Sequence, residues 1–158
     1  MTDKTTTVAQ LKNQEYYIVR AADFNTFKTY GFVVIFARYK NKWLFCRAKG
    51  RDGFETAGGH IEPGEAPLEA AKRELYEETG AVGYDISPLF DYSAEIQNKY
   101  STGQVFFAQI SELGDLPAFE MEEVRLLDTL PEKMRFPQIL PVLFERVKEI
   151  LKSRGLQL

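Results

Sequence analysis

Apolar residues along this chain recur with two different periods. Phe32-Val33-Val34-Ile35-Phe36-Ala37 is an unbroken run of β-branched and aromatic residues, which predicts a strand buried on both faces. Lys40-Asn41-Lys42 interrupts the pattern and Trp43 to Arg47 resumes it, so the two runs read as a hairpin. Upstream, Glu15 to Arg20 reads as a first strand. Downstream, Phe54-Glu55-Thr56-Ala57 reads as a short strand leading into Gly58-Gly59, and further strands are expected near Ile86–Tyr92, Gly103–Gln109 and Val124–Leu127. A helical period takes over twice. From about Ala66 to Thr79, Leu68, Ala71 and Leu75 share an arc about 60° wide facing a core; Pro63-Gly64 turns the chain before this helix and Gly80 ends it. From Pro137 to Ser153, Ile139, Leu140, Leu143, Val147, Ile150 and Leu151 form a second apolar stripe, with Pro141 in the first turn, where proline is tolerated. Strands and two helices around one core predict an α+β layered domain. No linker or internal repeat divides the 158 residues, so residues 1–158 are expected to form one domain, with 1–14 as a flexible or partly ordered N-terminal segment.

The polar face of the first helix carries the candidate chemistry. At about 100° per residue, Arg73, Glu77, Glu74 and Glu78 fall within an arc of about 140°. Glu74 and Glu78 are like charges four apart, which destabilises a bare helix. A hard divalent cation bound through oxygen ligands reverses that sign. Read alone, a charged helix face is an ordinary solvated face with an Arg73–Glu77 pair of a few tenths of a kcal/mol.

Composition narrows the classes. A net charge of −3 gives no basic footprint for a nucleic-acid polymer, while small phosphorylated ligands remain compatible. One cysteine, Cys46, excludes an internal disulfide and fits a reducing compartment; its neighbours Trp43-Leu44-Phe45 make it a buried structural thiol rather than a nucleophile. Met1 to Thr7 lacks the apolar run of a signal peptide, and no segment approaches membrane-spanning length. A cytoplasmic protein without membrane partners, monomeric or homodimeric, is the expectation.

Gly59, Glu65, Arg73, Glu74, Leu75, Glu77, Glu78, Gly80 and Ala81 match, at every specified position, the 23-residue box of the Nudix hydrolases, which this chain resembles. The resemblance implies an α/β/α sandwich with a mixed β-sheet. It also implies a metal-dependent enzyme that cleaves a nucleoside diphosphate linked to a further group, with Mg2+ or alternatively Mn2+. Carried over by position, Glu74, Glu77 and Glu78 are the metal-binding carboxylates, and Glu74 is also a candidate for orienting or deprotonating the attacking water. The carbonyl of Gly58 completes the metal site, because glycine lets backbone approach closely. Arg73 and Glu65 have supporting positions, Arg73 steering a carboxylate. A further carboxylate is expected after the box, where counting back from Leu130-Pro131 favours Glu120 over Glu122 or Glu123.

Substrate selection lies outside the helix. Arg47 resembles the family's phosphate-contacting arginine, with Lys49 and Arg51 as alternatives. Gly59 and His60, the only histidine, are candidate substrate contacts; for His60 a bond to backbone is the competing role. Phe54, Tyr92 and Phe106 are candidate stacking partners whose alternative is the core. Thr56 and Ala57 stand where many members have an apolar or aromatic residue followed by proline. The expected reaction is hydrolysis of a nucleoside triphosphate, 8-oxo-dGTP-like substrates included, to a monophosphate and pyrophosphate. The alternatives are an ADP-ribose or nucleotide-sugar pyrophosphatase and, in a different class, a catalytically idle nucleotide sensor.

Overall fold

The computed structural model describes residues 4–10 and 16–158. Its elements run β1 (Lys4–Gln10), β2 (Tyr16–Ala22), β3 (Phe32–Tyr39), β4 (Lys42–Ala48), β5 (Ala57–His60), α1 (Pro67–Thr79), β6 (Ala81–Ile96), β7 (Lys99–Leu113), β8 (Met121–Leu127) and α2 (Leu140–Ser153). The strands form one mixed sheet in the order β1-β2-β6-β7-β3-β4-β8, with β5 branching from β3. The β3–β7 pairing is parallel, from Phe32↔Gly103 to Arg38↔Gln109; the others are antiparallel.

β3 is the axis of the fold, as its continuous apolar sequence requires. Val33, Ile35 and Ala37 point to one face and pack with Ala70, Ala71 and Leu75 of α1. Phe36 points to the other and packs with Trp43 and with Leu143, Phe144 and Val147 of α2. Alternation along one strand thus supplies both layers of an α/β/α sandwich. Phe36 stacks on Phe144 with ring centroids 5.8 Å apart, and Trp43 meets Phe144 edge-on at 5.1 Å, both favourable aromatic geometries. Cys46 is fully buried and its thiol donates to the Glu55 carbonyl at 3.5 Å. Burial pushes the thiol pKa well up, which keeps it protonated and structural.

The edge of β3 opposite β7 forks. Its first half pairs with β5, Phe32↔His60 to Ile35↔Ala57, and its second half with β4, Ala37↔Leu44 to Tyr39↔Lys42. The β3–β4 turn has Lys40 and Asn41 at φ 52° and 62°, the left-handed pair of a tight two-residue hairpin. At the fork the expected short strand is displaced. Phe54 and Glu55 make only isolated bridges, to Met134 and Cys46, and the strand proper is Ala57–His60. A glycine pair reads locally as a strand breaker. Here it is required, because a Cβ on Gly58 would lie 2.4 Å from the Val33 carbonyl oxygen, so only glycine brings β5 this close to β3.

Other boundaries differ for local reasons. β6 and β7 are far longer than their apolar cores predicted, extending through a turn with Gln97 and Asn98 at φ 51° and 67°; polar residues such as Ser101 and Thr102 concealed the extension. α2 begins at Leu140 rather than Pro137, with Pro141 in its first turn, where a residue without an amide proton loses nothing. β1 falls within the segment 1–14, whose remaining residues lie outside those described. Leu68, expected on the core arc, is 39% exposed and lines a shallow surface cleft with Val82, Tyr84 and Ile86.

The segment entering β3 is anchored by one buried carboxylate that the sequence pattern did not mark. Asp91 on β6 has no solvent exposure. Its carboxylate accepts from the Thr26 and Phe27 amides at 2.9 and 3.3 Å, the Tyr30 hydroxyl at 2.6 Å and Gln104 Nε2 at 3.0 Å. Burial and the adjacent Asp91 raise the Tyr30 hydroxyl to about 12. Removing the acceptor strands four donors, so Asp91→Ala is expected to cost about 3 kcal/mol or more in urea unfolding. Loss of less than about 1 kcal/mol would show that Asp91 does not anchor this segment.

Candidate active site

α1 begins where the chain leaves β5. Pro67 occupies the first turn, Glu69 accepts the Ala66 amide at 3.3 Å, and Gly80 ends the helix at φ 81° with its amide on the Tyr76 carbonyl. Ala70, Ala71 and Leu75 fix the helix against the sheet. Glu74 and Glu78 then face the β5 glycines, and Glu77 lies toward solvent.

Arg73 gathers the acidic residues. Its Nε and one terminal nitrogen donate to both oxygens of Glu65 at 2.8 and 2.9 Å, and its other terminal nitrogen donates to Glu74 Oε1 at 2.9 Å. Glu77 lies 3.5 Å from that nitrogen, and the His60 carbonyl accepts at 3.2 Å. Glu65 also accepts the Glu62 amide at 3.1 Å, closing the loop before the helix. The Arg73 bonds hold the Glu65 carboxyl down at about 2, and the same contacts raise the arginine further above its ordinary value. Arg73 is therefore a fixed cationic clamp with Glu65 as its anchor.

The other two box carboxylates behave differently. Glu78 is 5% exposed, and its Oε1 accepts the Gly58 amide at 2.8 Å. Burial pushes its pKa well above the carboxylate range, with the charges of Glu74 and Glu55 adding to the effect against that amide bond. Burial likewise raises Glu74, although Arg73 opposes it. A Cβ on Gly59 would lie 2.6 Å from Glu74 Oε1, so the second glycine leaves space for this carboxylate. The pair is undercompensated, since Arg73 serves Glu65 and Glu77 as well as Glu74, and Glu78 is held by a backbone amide rather than a cation.

These residues line a cavity of about 370 Å3 with Gly58, Gly59, His60, Glu62, Phe119 and Glu120. Glu120 thus reaches the site from the loop before β8, across from α1. Among the described residues no three acidic, histidine or cysteine side chains already stand together as a metal cage; Glu74 is held by Arg73 and Glu78 by the Gly58 amide. The donor set nevertheless fits a hard divalent cation: carboxylates of Glu74, Glu77, Glu78 and Glu120 and the backbone of Gly58 surround one open cavity, and all are oxygen donors. A buried, undercompensated carboxylate pair is what such an ion stabilises.

The substrate candidates separate. Gly59 and His60 line the cavity, His60 with its ring 4.4 Å from that of Phe32. Arg47 does not. Its guanidinium is occupied by Glu122 and Glu123 at 3.1 and 3.2 Å and by the Arg51 carbonyl at 3.1 Å, clamping β4 to β8. Phe54 and Phe106 are core residues. Tyr92 is mostly buried but also lines a second cavity, as do Thr56, Glu55 and Arg135. Arg135 had no sequence signal. The chain before α2 brings it there by pairing with Phe54, and its guanidinium donates to Glu55 at 2.9 Å.

Comparison with known proteins gives a consistent result. The NUDIX domain family model matches residues 28–148. A Bacillus subtilis (strain 168) protein, YtkD, provisionally named an 8-oxo-dGTP diphosphatase, is 32% identical over 127 residues, covering 74% of this chain and 80% of that one. The crystal structure of a variant of the Bacillus subtilis pyrophosphohydrolase BsRppH superposes with TM-score 0.74 at 27% identity, over 91% of this chain and 97% of the other. A UDP-X diphosphatase shares the fold at TM-score 0.65 and 21% identity, over 82% of this chain and 66% of that one.

The charge pattern sets a pH dependence for the metal-free protein. A carboxyl whose folded pKa lies above its unfolded value of 4.5 binds a proton more tightly when folded. Its contribution to stability is therefore complete below that value and is lost as pH rises toward the folded pKa. In chelator, stability should fall from pH 5 into the alkaline range, and Glu78→Gln, which retains the oxygen for the Gly58 amide, should remove much of that slope. Magnesium should offset the loss in the parent protein and not in the variant. Identical pH profiles for the two proteins would mean that Glu78 is not an uncompensated buried charge.

Proposed function

The chain belongs to the Nudix hydrolases, and from that premise we propose that it is a divalent-metal-dependent nucleoside triphosphate pyrophosphohydrolase releasing a monophosphate and pyrophosphate. The observation that carries the reading is the clustering of Glu74, Glu77, Glu78 and Glu120 around a cavity that continues into a second, largely apolar one. An anionic phosphate chain needs cations beside such carboxylates, and a nucleoside needs an apolar recess beside its phosphates. The name of the Bacillus subtilis relative supports 8-oxo-dGTP as the first substrate to try.

A divalent ion, when bound, supplies charge neutralisation at the phosphate oxygens and makes an attacking water more acidic. The chain supplies the rest. Glu74, Glu77 and Glu78, with the Gly58 carbonyl and Glu120, form the oxygen-rich holder. Glu74, which lines the cavity with Arg73 bonded to it, is the candidate to orient or deprotonate the attacking water. Arg73, pinned by Glu65, keeps the Glu74 carboxylate from rotating away. The Gly58 amide fixes Glu78 in the same way.

The test is a substrate panel of canonical and oxidised triphosphates, ADP-ribose and a nucleotide sugar, with and without magnesium or manganese. Monophosphate and pyrophosphate from a triphosphate, only with metal, is the expected outcome. Glu78→Gln should lower kcat on the order of 100-fold or more while the protein remains folded. Exclusive cleavage of ADP-ribose or the sugar nucleotide, or a near-normal kcat for folded Glu78→Gln, would overturn the reading.

A further inference from the structure

The second cavity has a volume of about 360 Å3 and opens from the carboxylate site, sharing Gly58, Gly59, His60, Glu78 and Glu120 with it. Val34, Ala94, Ile139, Leu140 and Leu143 make its wall apolar, and Phe32 and Phe136 add aromatic faces. Small-molecule sites have this character: a concave apolar recess with a few placed polar groups.

The polar groups can be sorted by what already holds them. Glu55 is paired with Arg135 at 2.9 Å. Ser101 donates to the Ala94 carbonyl at 3.4 Å. His60 and Glu120 are exposed and belong also to the carboxylate site, and Glu78 is held by the Gly58 amide. Among the buried groups two hydroxyls remain, on Tyr92 and Thr56, in residues only 6% and 5% exposed. Neither makes a hydrogen bond among the described residues. Nor is either sealed in the interior: among the described residues, Arg38 Nε is the buried side-chain polar atom without a partner. Both hydroxyl oxygens therefore keep some access to solvent, in residues that line this cavity. A hydroxyl open to solvent is completed by water until a ligand replaces it, and two of them at one apolar recess offer a ligand the few placed polar contacts that small-molecule sites use.

The Tyr92 hydroxyl is also held in place. Tyr92 and Gly103 face each other across β6 and β7, and a Cβ on Gly103 would lie 2.3 Å from the ring's Cε1 and 2.7 Å from its hydroxyl oxygen. The ring occupies the space that a side chain at position 103 would need, a packing that aromatics make over strand glycines. Thr56 is the residue that departs from the apolar side chain common at its position. The departure has a physical consequence here, because it brings a hydroxyl to the cavity instead of a methyl.

We infer that this cavity takes the base of the substrate nucleotide and that the hydroxyls of Tyr92 and Thr56 read the base's polar edge, an inference that rests on the nucleotide-hydrolase reading above. With phosphates at the carboxylates, the nucleoside is directed into the adjoining recess. A hydroxyl both donates and accepts, so the pair meets either pattern of donor and acceptor on a base. A hydrocarbon ligand would leave both hydroxyls unpaired.

Binding tests this without turnover. The full-length protein is titrated calorimetrically, in magnesium, with dGMP, 8-oxo-dGMP, dAMP, dCMP and dTMP, and with deoxyribose 5-phosphate as the ligand lacking a base. At least one monophosphate should bind more than about tenfold tighter than the sugar phosphate. Tyr92→Phe keeps the ring on Gly103 and should weaken that monophosphate about three- to tenfold, leaving the sugar phosphate unchanged. Thr56→Val should act in the same direction, and Ile139→Trp, which fills the recess, should abolish the base-dependent gain. No gain from any base, or Tyr92→Phe and Thr56→Val both within about twofold of the parent for the preferred monophosphate, would overturn the assignment. The outcome is separable from that of the hydrolase reading. Base-dependent binding that Tyr92→Phe weakens, in a protein that cleaves no triphosphate, upholds the pocket alone; triphosphate cleavage without any base-dependent gain overturns the pocket alone.

Discussion

A single guanidinium sets the terms for the acidic site. Glu65, Glu74 and Glu77 all reach Arg73, and without it the polar face of α1 is a column of like charges at helical spacing. The bidentate bond to Glu65 fixes the orientation of the arginine, and the bond to Glu74 transmits that orientation to a carboxylate lining the cavity. Glu78 is outside this clamp and is held by a backbone amide instead. One cation for several carboxylates is an incomplete balance, and the deficit falls on the two most buried groups, Glu74 and Glu78. That deficit is what a further positive charge beside these carboxylates would offset.

The sheet serves this arrangement through the fork at β3. Had β4 continued along the whole edge, no room would remain for a second partner beside the first half of β3. The chain instead returns as β5, and two glycines let its backbone press against β3 on one side and against Glu74 on the other. The same glycines lie between the acidic cavity and the apolar one. Steric need at one pair of residues thus couples the geometry of the charged site to that of its neighbour.

Away from the helix, ion pairs hold loops. Arg47 ties the entry of β8 to β4 through Glu122 and Glu123, and the Lys49 amide bonds the Glu120 carbonyl at 2.9 Å. Arg47, near the end of β4, and Lys49, just after it, thus hold the chain on either side of Met121. An arginine that resembled a phosphate contact is in this structure part of the scaffold for a candidate ligand. Exposed pairs of this kind contribute little to stability, and their value lies in position.

The sequence alone determined the parts whose physics is local. The apolar run of β3, the alternation that follows it and the stripes of α1 and α2 fix strand and helix, because side-chain period and backbone period must agree. The spacing of Arg73, Glu74, Glu77 and Glu78 fixes one charged face, because a helix has only one geometry. Tertiary structure decided what depends on residues far apart in the chain. Gly58-Gly59 became a strand only because β3 supplied a partner at close range. Arg47 met Glu122 and Glu123 across a sheet register that no local signal encodes. Asp91 gathered donors from the residues before β3 and from β7, and Thr56, just before β5, and Tyr92, on β6, came to line one cavity. Contacts between distant segments are chosen by packing the whole core at once, and neither hydropathy period nor motif spacing carries that information.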